Sequence, residues 1–267
     1  MNEHEVVGLA GDWHGRYHWA VPVLKMFADS GIKTVYQVGD FGIWPGADGA
    51  AFLSYILGAC EKLGMTLWVV PGNHEDYTQI DDPEDPEGGL ERQVLGSGDG
   101  WEVALLPRGY SWEFGGKKFV ALGGAPSIDF QMRKKDRDWW TEEMIRESDL
   151  ERLHRSAGAD VMLTHDAPDG GTDAVQQIVD TPPHLSMWSE AGLRYAKEGR
   201  ELMNRAVEIV KPKVFVHGHF HVTDQKLVEE DECLYVSMGM DGDIGNVAVL
   251  HLEETMWLER MQEAEEA

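Results

Sequence analysis

Residues 212–222, PKVFVHGHFHV, place His217, His219 and His221 at alternate positions directly after a short apolar run. Alternate positions of an extended chain face one side, so His219 and His221 can address one point in space. Imidazoles offer nitrogen lone pairs to a divalent ion, or protons for acid–base chemistry near neutral pH. Either use needs matching groups from elsewhere in the chain, and the sequence supplies them. Asp12 and His14 follow VVGLA, Asp40 follows VYQV, Asn73 and His74 follow LWVV, and His165 follows DVMLT.

A single aspartate after a strand is usually a turn or cap residue, and a single histidine there is usually structural. Separate strand ends that each offer a carboxylate, an imidazole or an amide are harder to dismiss, because ligand sites in α/β sheets form at the carboxyl ends of strands. The donors are oxygen and nitrogen with no cysteine nearby. That set suits Mn²⁺, Fe, Zn²⁺ or Ni²⁺, according to availability, better than it suits a thiolate zinc site. It is large enough for two divalent ions sharing one carboxylate, an arrangement that can activate water and hold a phosphate.

Such residues need a frame that gathers their strand ends. Short β-rich runs recur: EVVGLAGD, KTVYQVGD, TLWVVPGN, KKFVALGGA, DVMLTHDAP, PKVFVHGH, CLYVSMGM and NVAVLHLE. Few apolar residues in each run suit strands buried on both faces. Helical patterns lie between several of them: WAVPVLKMFADSG ending at Gly31, GAAFLSYILGACEKLG ending at Gly64, and a long one from Ser189 to Pro212. In SDLERLHRSAG, Ser148 and Glu151 have capping-box spacing and Gly158 closes the segment. The alternation predicts a layered α/β fold, with a hairpin turning at Gly115-Gly116. DDPEDPEGGLERQ reads as an acidic surface loop. The chain reads as one domain over 1–257, with an insert or lid at about 124–190 and an acidic tail at 258–267.

At 267 residues, 42% hydrophobic and 27% charged, the composition is that of a globular protein with a sizeable core. The formal net charge of −25 disfavours a basic grip on nucleic acid or on anionic membrane. Cys60 and Cys233 are too few and too isolated for a disulfide scaffold. The first residues lack a basic and apolar leader pattern, and no apolar stretch approaches the ~20 residues of a membrane span. The expectation is a soluble, cytoplasmic protein.

GDWHG, GDFG, GNHE, THDAP and GHFH, in that order over residues 11–221, resemble the motif series of calcineurin-like metallophosphoesterases. The resemblance implies a four-layer α/β/β/α sandwich of mixed sheets, with a binuclear metal site at the C-terminal strand edge. It further implies that Asp12, His14 and His221 hold one ion, that Asn73, His165 and His219 hold the other, and that Asp40 bridges them. His74 matches the family's non-ligand histidine, which meets substrate and can protonate the leaving group, with Glu75 orienting it. His217 falls outside the ligand pattern and reads as structural.

GDFGIWPG lacks the GDxxDRG extension usual in protein phosphatases of this superfamily, and GHFH is similar to the phosphodiesterase-type branch. The resemblance therefore points to hydrolysis of a small phosphoester, including a nucleotide-type phosphodiester. The alternatives are a protein or small-molecule phosphomonoesterase, a nuclease, which the net charge disfavours, and a catalytically silent metal-binding scaffold. Specificity is expected from GGAPSIDFQMRKKDRDWW, where Arg133 or Arg137 could clamp a phosphate and Trp139 or Trp140 could stack on a base. The competing reading packs the tryptophans under a helix and pairs the arginines with local carboxylates.

Overall fold

The computed structural model describes residues 6–81, 89–181, 186–229, 232–253 and 255–261. In chain order the strands are β1 (Val6–Ala10), β2 (Thr34–Gln37), β3 (Thr66–Val69), β4 (Gln93–Gly98), β5 (Trp101–Leu105), β6 (Ser111–Phe114) and β7 (Lys117–Leu122). They continue as β8 (Val161–Thr164), β9 (Val214–His217), β10 (Asp224–Val228), β11 (Cys233–Ser237), β12 (Val247–His251) and β13 (Trp257–Arg260). The helices are α1 (Tyr17–Asp29), α2 (Gly46–Leu63), α3 (Glu147–Leu153), α4 (Asp173–Asp180) and α5 (Glu190–Val210).

One sheet runs β13-β12-β1-β2-β3-β5-β4 and the other β10-β11-β9-β8-β7-β6. Each has a parallel centre, β1/β2/β3/β5 in the first and β7/β8/β9/β11 in the second, flanked by antiparallel strands. The period of two explains why the central strands read as unbroken apolar runs. Val7 and Leu9 of β1 join Val161 and Leu163 of β8 in a core between the sheets. Val6 and Ala10 face the opposite way and pack with Leu24 and Phe27 of α1 and Phe52 and Ile56 of α2. On the far side Met162 and Phe215 pack against Met203, Ala206 and Val210 of α5. The result is helices, sheet, sheet, helices, with both sheets mixed.

All eight β-rich runs form strands. The Gly115-Gly116 hairpin forms as expected, with φ of 56° and 72°. Strands β4, β5, β10 and β13 are not apparent in the sequence. Three of them are sheet edges with no buried residue; those of β10 and β13 alternate between half-buried and exposed, and β4 carries two glycines. Their neighbours' backbone ladders, more than their own composition, make them strands.

Three expectations need correction. Helix α3 is capped two residues earlier than Ser148, at Arg146, because the Asp149 carboxylate accepts the Arg146 N–H at 2.7 Å. The stretch 124–190 is not one insertion: β8 lies in the middle of the second sheet, between β7 and β9. Residues 258–260 are not tail but part of β13, paired with β12; residues 262–267 lie outside the described residues, as do 82–88 of the acidic loop. Neither Cys60 nor Cys233 is in a disulfide, and both are buried. No described helix is long and apolar enough to cross a membrane.

Candidate metal centre

Because β1, β2 and β3 are parallel in one sheet and β8 and β9 in the other, their carboxyl ends lie at one edge of the sandwich. Asp12 and His14 leave β1, Asp40 leaves β2, Asn73 and His74 leave β3, His165 leaves β8, and His219 and His221 leave β9. Four of these residues adopt the left-handed backbone region, His14 (φ 44°), Asp40 (50°), His219 (67°) and His221 (55°). Each such non-glycine residue costs on the order of 1–3 kcal/mol, and strain of this kind clusters at functional sites. The surrounding hydrogen bonds enforce it: the backbone N–H groups of Trp13 and His14 both donate to the Asp40 carbonyl, at 3.0 and 2.7 Å.

Two donor sets result. Asp12, His14, Asp40 and His221 each offer a ligand atom, and all of these atoms lie within 4.8 Å of one another. His221 Nε2 is 3.1 Å from Asp12 Oδ2, and His14 Nε2 is 3.5 Å from Asp40 Oδ2. On the other side, Asn73 Oδ1 is 3.0 Å from both His165 Nε2 and His219 Nδ1, and His165 Nε2 is 3.3 Å from Asp40 Oδ1. Asp40, 1% exposed, presents one oxygen to each set. The approach of the strands leaves no room for side chains at two glycines. A Cβ on Gly218 would stand 2.1 Å from Asp12 Oδ1, and one on Gly39 (φ 101°) would stand 2.1 Å from His165 Nδ1.

The donors suit a cation. His165 Nδ1 donates to the Val38 carbonyl at 2.8 Å, which leaves Nε2 with a lone pair facing the Asn73 oxygen. Acceptors facing each other at 3.0 Å require a positive centre between them. In the protein alone, protons take that role. Burial by itself would lower His165 and His14. The charge and hydrogen bond of Asp40 outweigh it and push His165 up to about 10 and, with Asp241, His14 up to about 9. Asp40 is held well below the usual carboxylate range: its burial acts the other way but is overcome by His74, His165 and His14. Burial, with the charge of His165, holds His219 well below its ordinary value, so the protons gathered on His14 and His165 are the ones a divalent ion would displace.

Asp241 escaped the sequence reading. Its Oδ1 is 2.8 Å from His14 Nδ1, fixing the ring so that Nε2 faces Asp40, and Arg16 Nε braces its Oδ2 at 2.9 Å. The signal was available, since Asp241 follows the end of β11 as the candidate ligands follow their strands. His217 is fully buried; burial lowers it to about 4, and Nδ1 meets the Gly218 carbonyl at 2.9 Å, in keeping with a structural role.

His74 borders the Asp40 side, its Nε2 3.8 Å from Asp40 Oδ2. Glu75 does not orient it. The Glu75 carboxylate is fully buried and accepts the backbone N–H groups of Phe41 (2.6 Å), Gly42 (3.1 Å) and Gly72, tying the loop that carries Asp40 to the one that carries Asn73. Arg133 supplies the contact to His74, with Nη1 and Nη2 at 3.0 and 3.1 Å from its two ring nitrogens and Nε on Asp129 at 2.7 Å. Arg137 is exposed and away from the cavity. The tryptophans pack: Trp140 is buried, and Trp139 lies against Phe130 and Tyr195 while donating to Glu143.

These groups open into a cavity of about 290 Å³. Asp40, Asn73, His74, His219 and His221 form its metal-side wall, and Ile128, Ile178, Trp188, Phe220, Asp166 and Arg200 are on its other walls. Sequence reading missed Asp166, which directly follows His165, and Arg200, which only α5 brings to the cavity.

The sequence matches the calcineurin-like phosphoesterase family over residues 6–223, and the chain belongs to that family. No curated protein matches it. Among solved structures it is similar to a dimetal phosphatase from Danio rerio, with 12% identity, 97% of each chain covered and a TM-score of 0.59. It is also similar to TT1561 of Thermus thermophilus, with 11% identity, 97% of this chain and 99% of that one covered, and a TM-score of 0.54. At these identities the likeness is one of fold.

Proposed function

We propose that this protein is a metal-dependent phosphoesterase that hydrolyses a small, nucleotide-type phosphodiester with two divalent ions, Mn²⁺ foremost. The observation that carries the reading is the pair of donor sets sharing Asp40 on the wall of a cavity that His74 and Arg133 also line. Asp12, His14 and His221 would hold one ion and Asn73, His165 and His219 the other. Bound there, the ions would supply the positive charge that a phosphoryl group and an attacking water need.

The remaining work falls to side chains. Arg133, whose Nη1 and Nη2 lie 3.0 and 3.1 Å from the His74 ring nitrogens, would turn its donors to phosphate oxygens arriving beside His74. Burial chiefly lowers the His74 pKa, with Arg133, His14 and His165 adding to it against the pull of Asp40. An anionic ester alongside favours the protonated ring, which then stands ready to pass its proton to the leaving oxygen. The far wall suits an organic leaving group: Trp188, Ile178 and Phe220 are apolar surfaces, and the buried Asp166 Oδ2 has no hydrogen-bond partner among the described residues. A cavity of this size favours a small ester over a protein surface. Two buried cysteines outside any disulfide fit a reducing compartment such as the cytoplasm.

The test is hydrolysis of bis-p-nitrophenyl phosphate and p-nitrophenyl phosphate by metal-stripped protein, with Mn²⁺ restored and His74→Ala as control. Diester turnover that depends on both Mn²⁺ and His74 is expected. Turnover of the monoester alone would move the reading to a phosphomonoesterase. Metal binding without turnover of either ester would count for a scaffold.

A further inference from the structure

Asn73 can serve an ion only if its amide oxygen, and not its NH₂ group, faces His165 and His219. The amide is nearly symmetric in shape, so something must choose. Asn73 Nδ2 donates to Ser127 Oγ at 2.9 Å. The Ser127 hydroxyl in turn donates to Glu143 Oε2 at 2.8 Å, and the Ser127 backbone N–H donates to Glu143 Oε1 at 2.6 Å. Burial pushes Glu143 up to about 7, against the Ser127 and Trp139 hydrogen bonds; in its ionised form it only accepts, so the Ser127 hydrogen is committed to Glu143 and the Ser127 oxygen is left to accept. What reaches that oxygen must be an N–H, and the Asn73 oxygen is thereby turned to the imidazoles, 3.0 Å from each.

Glu143 is itself immobile. It is fully buried, and it also accepts from Trp139 Nε1 at 2.9 Å and bonds Tyr195 of α5. Arg108 pins the same turn through the carbonyls of Glu142 (2.6 Å) and Glu143 (3.1 Å). The segment carrying Ser127 and Glu143 is therefore fixed to the sandwich independently of Asn73.

We propose that Ser127 and Glu143 are positioning residues that orient the Asn73 amide and so set the affinity of the ion position formed by Asn73, His165 and His219. The inference rests on the two-ion reading above. It assigns a function to a stretch that the family's ligand motifs do not include.

Calorimetric titration of Mn²⁺ into the metal-stripped full-length protein tests it, with wild type, Ser127→Ala, Ser127→Thr and Glu143→Gln compared. Loss of a group that orients a ligand typically costs 10–100-fold in metal affinity. S127A should weaken one of two binding steps by about that factor and leave the other unchanged. S127T, which keeps the hydroxyl, should restore the step. E143Q, similar in size but with one acceptor oxygen fewer, should weaken the same step. A purely structural role predicts instead a lower Tm of the metal-free protein with both steps weakened together. That pattern, or wild-type titrations from both S127A and E143Q, overturns the proposal. A wild type that takes up no Mn²⁺ refutes the two-ion reading itself, and this inference with it.

Discussion

Gly218→Ala adds one methyl group where the chain leaving β9 meets the Asp12 carboxylate beyond β1. The new Cβ would lie 2.1 Å from Asp12 Oδ1 and 3.0 Å from the Val38 carbonyl oxygen, whereas unstrained contacts need about 3.5 Å. The Asp12 carboxylate must therefore retreat by roughly 1 Å or more, and it has little freedom to do so. It is fully buried, accepts the His219 N–H at 3.1 Å and stands 3.1 Å from His221 Nε2. Overpacking of this kind costs about 1–3 kcal/mol, and a chain of this size loses about 2–4 °C of Tm per kcal/mol. Displacement of a reacting group by 1 Å can cost about 10²-fold in rate. The expected outcome is a Tm lower by several degrees, weakened binding at the Asp12, His14 and His221 position, and Mn²⁺-dependent diester turnover down about 100-fold. Gly58→Ala is the control, since a Cβ there meets nothing within 4 Å on α2. Thermal unfolding, Mn²⁺ calorimetry and turnover report the three quantities. A G218A protein with two wild-type binding steps and wild-type turnover would refute the placement of Asp12 in the site. With Ser127→Ala the pair is complementary, each substitution addressing a different ion position.

Glu75→Ala strands the buried N–H groups of Phe41, Gly42 and Gly72 at about 1–3 kcal/mol each before relaxation. Urea unfolding of the Mn²⁺-loaded protein should show a large loss of stability; unchanged stability with a shifted pH–rate profile would return Glu75 to a role in orienting His74. Arg133→Ala should lower kcat/KM for every active phosphoester by about 10–100-fold, the worth of a hydrogen bond to a charged group. Arg137→Ala, on the exposed surface, should match wild type, and steady-state kinetics in which R133A also matches it would remove Arg133 from the site.

The sequence alone determined the class of fold and the candidate donor residues. Short unbroken apolar runs separated by helical patterns predict a layered α/β fold with strands buried on both faces, and the motif resemblance implied the sandwich of two mixed sheets. Chemistry-bearing residues at the ends of those runs then share an edge, because parallel strands align their carboxyl ends. Asp12, His14, Asp40, Asn73, His74, His165, His219 and His221 were legible for that reason. What depends on distant contacts was not legible. Edge strands β4, β10 and β13 form because a neighbour offers a ladder. Glu75 follows His74 in sequence, yet its carboxylate serves the backbone of two loops and not that ring. Arg133 and Arg137 are alike in the sequence, and only the path of the chain after β7 brings one to His74 and leaves the other in solvent. Asp241 and Ser127 gain their roles from partners 227 and 54 residues away. Local pattern fixes which groups reach the sheet edge; tertiary packing decides which hydrogen-bond partner turns each of them into place.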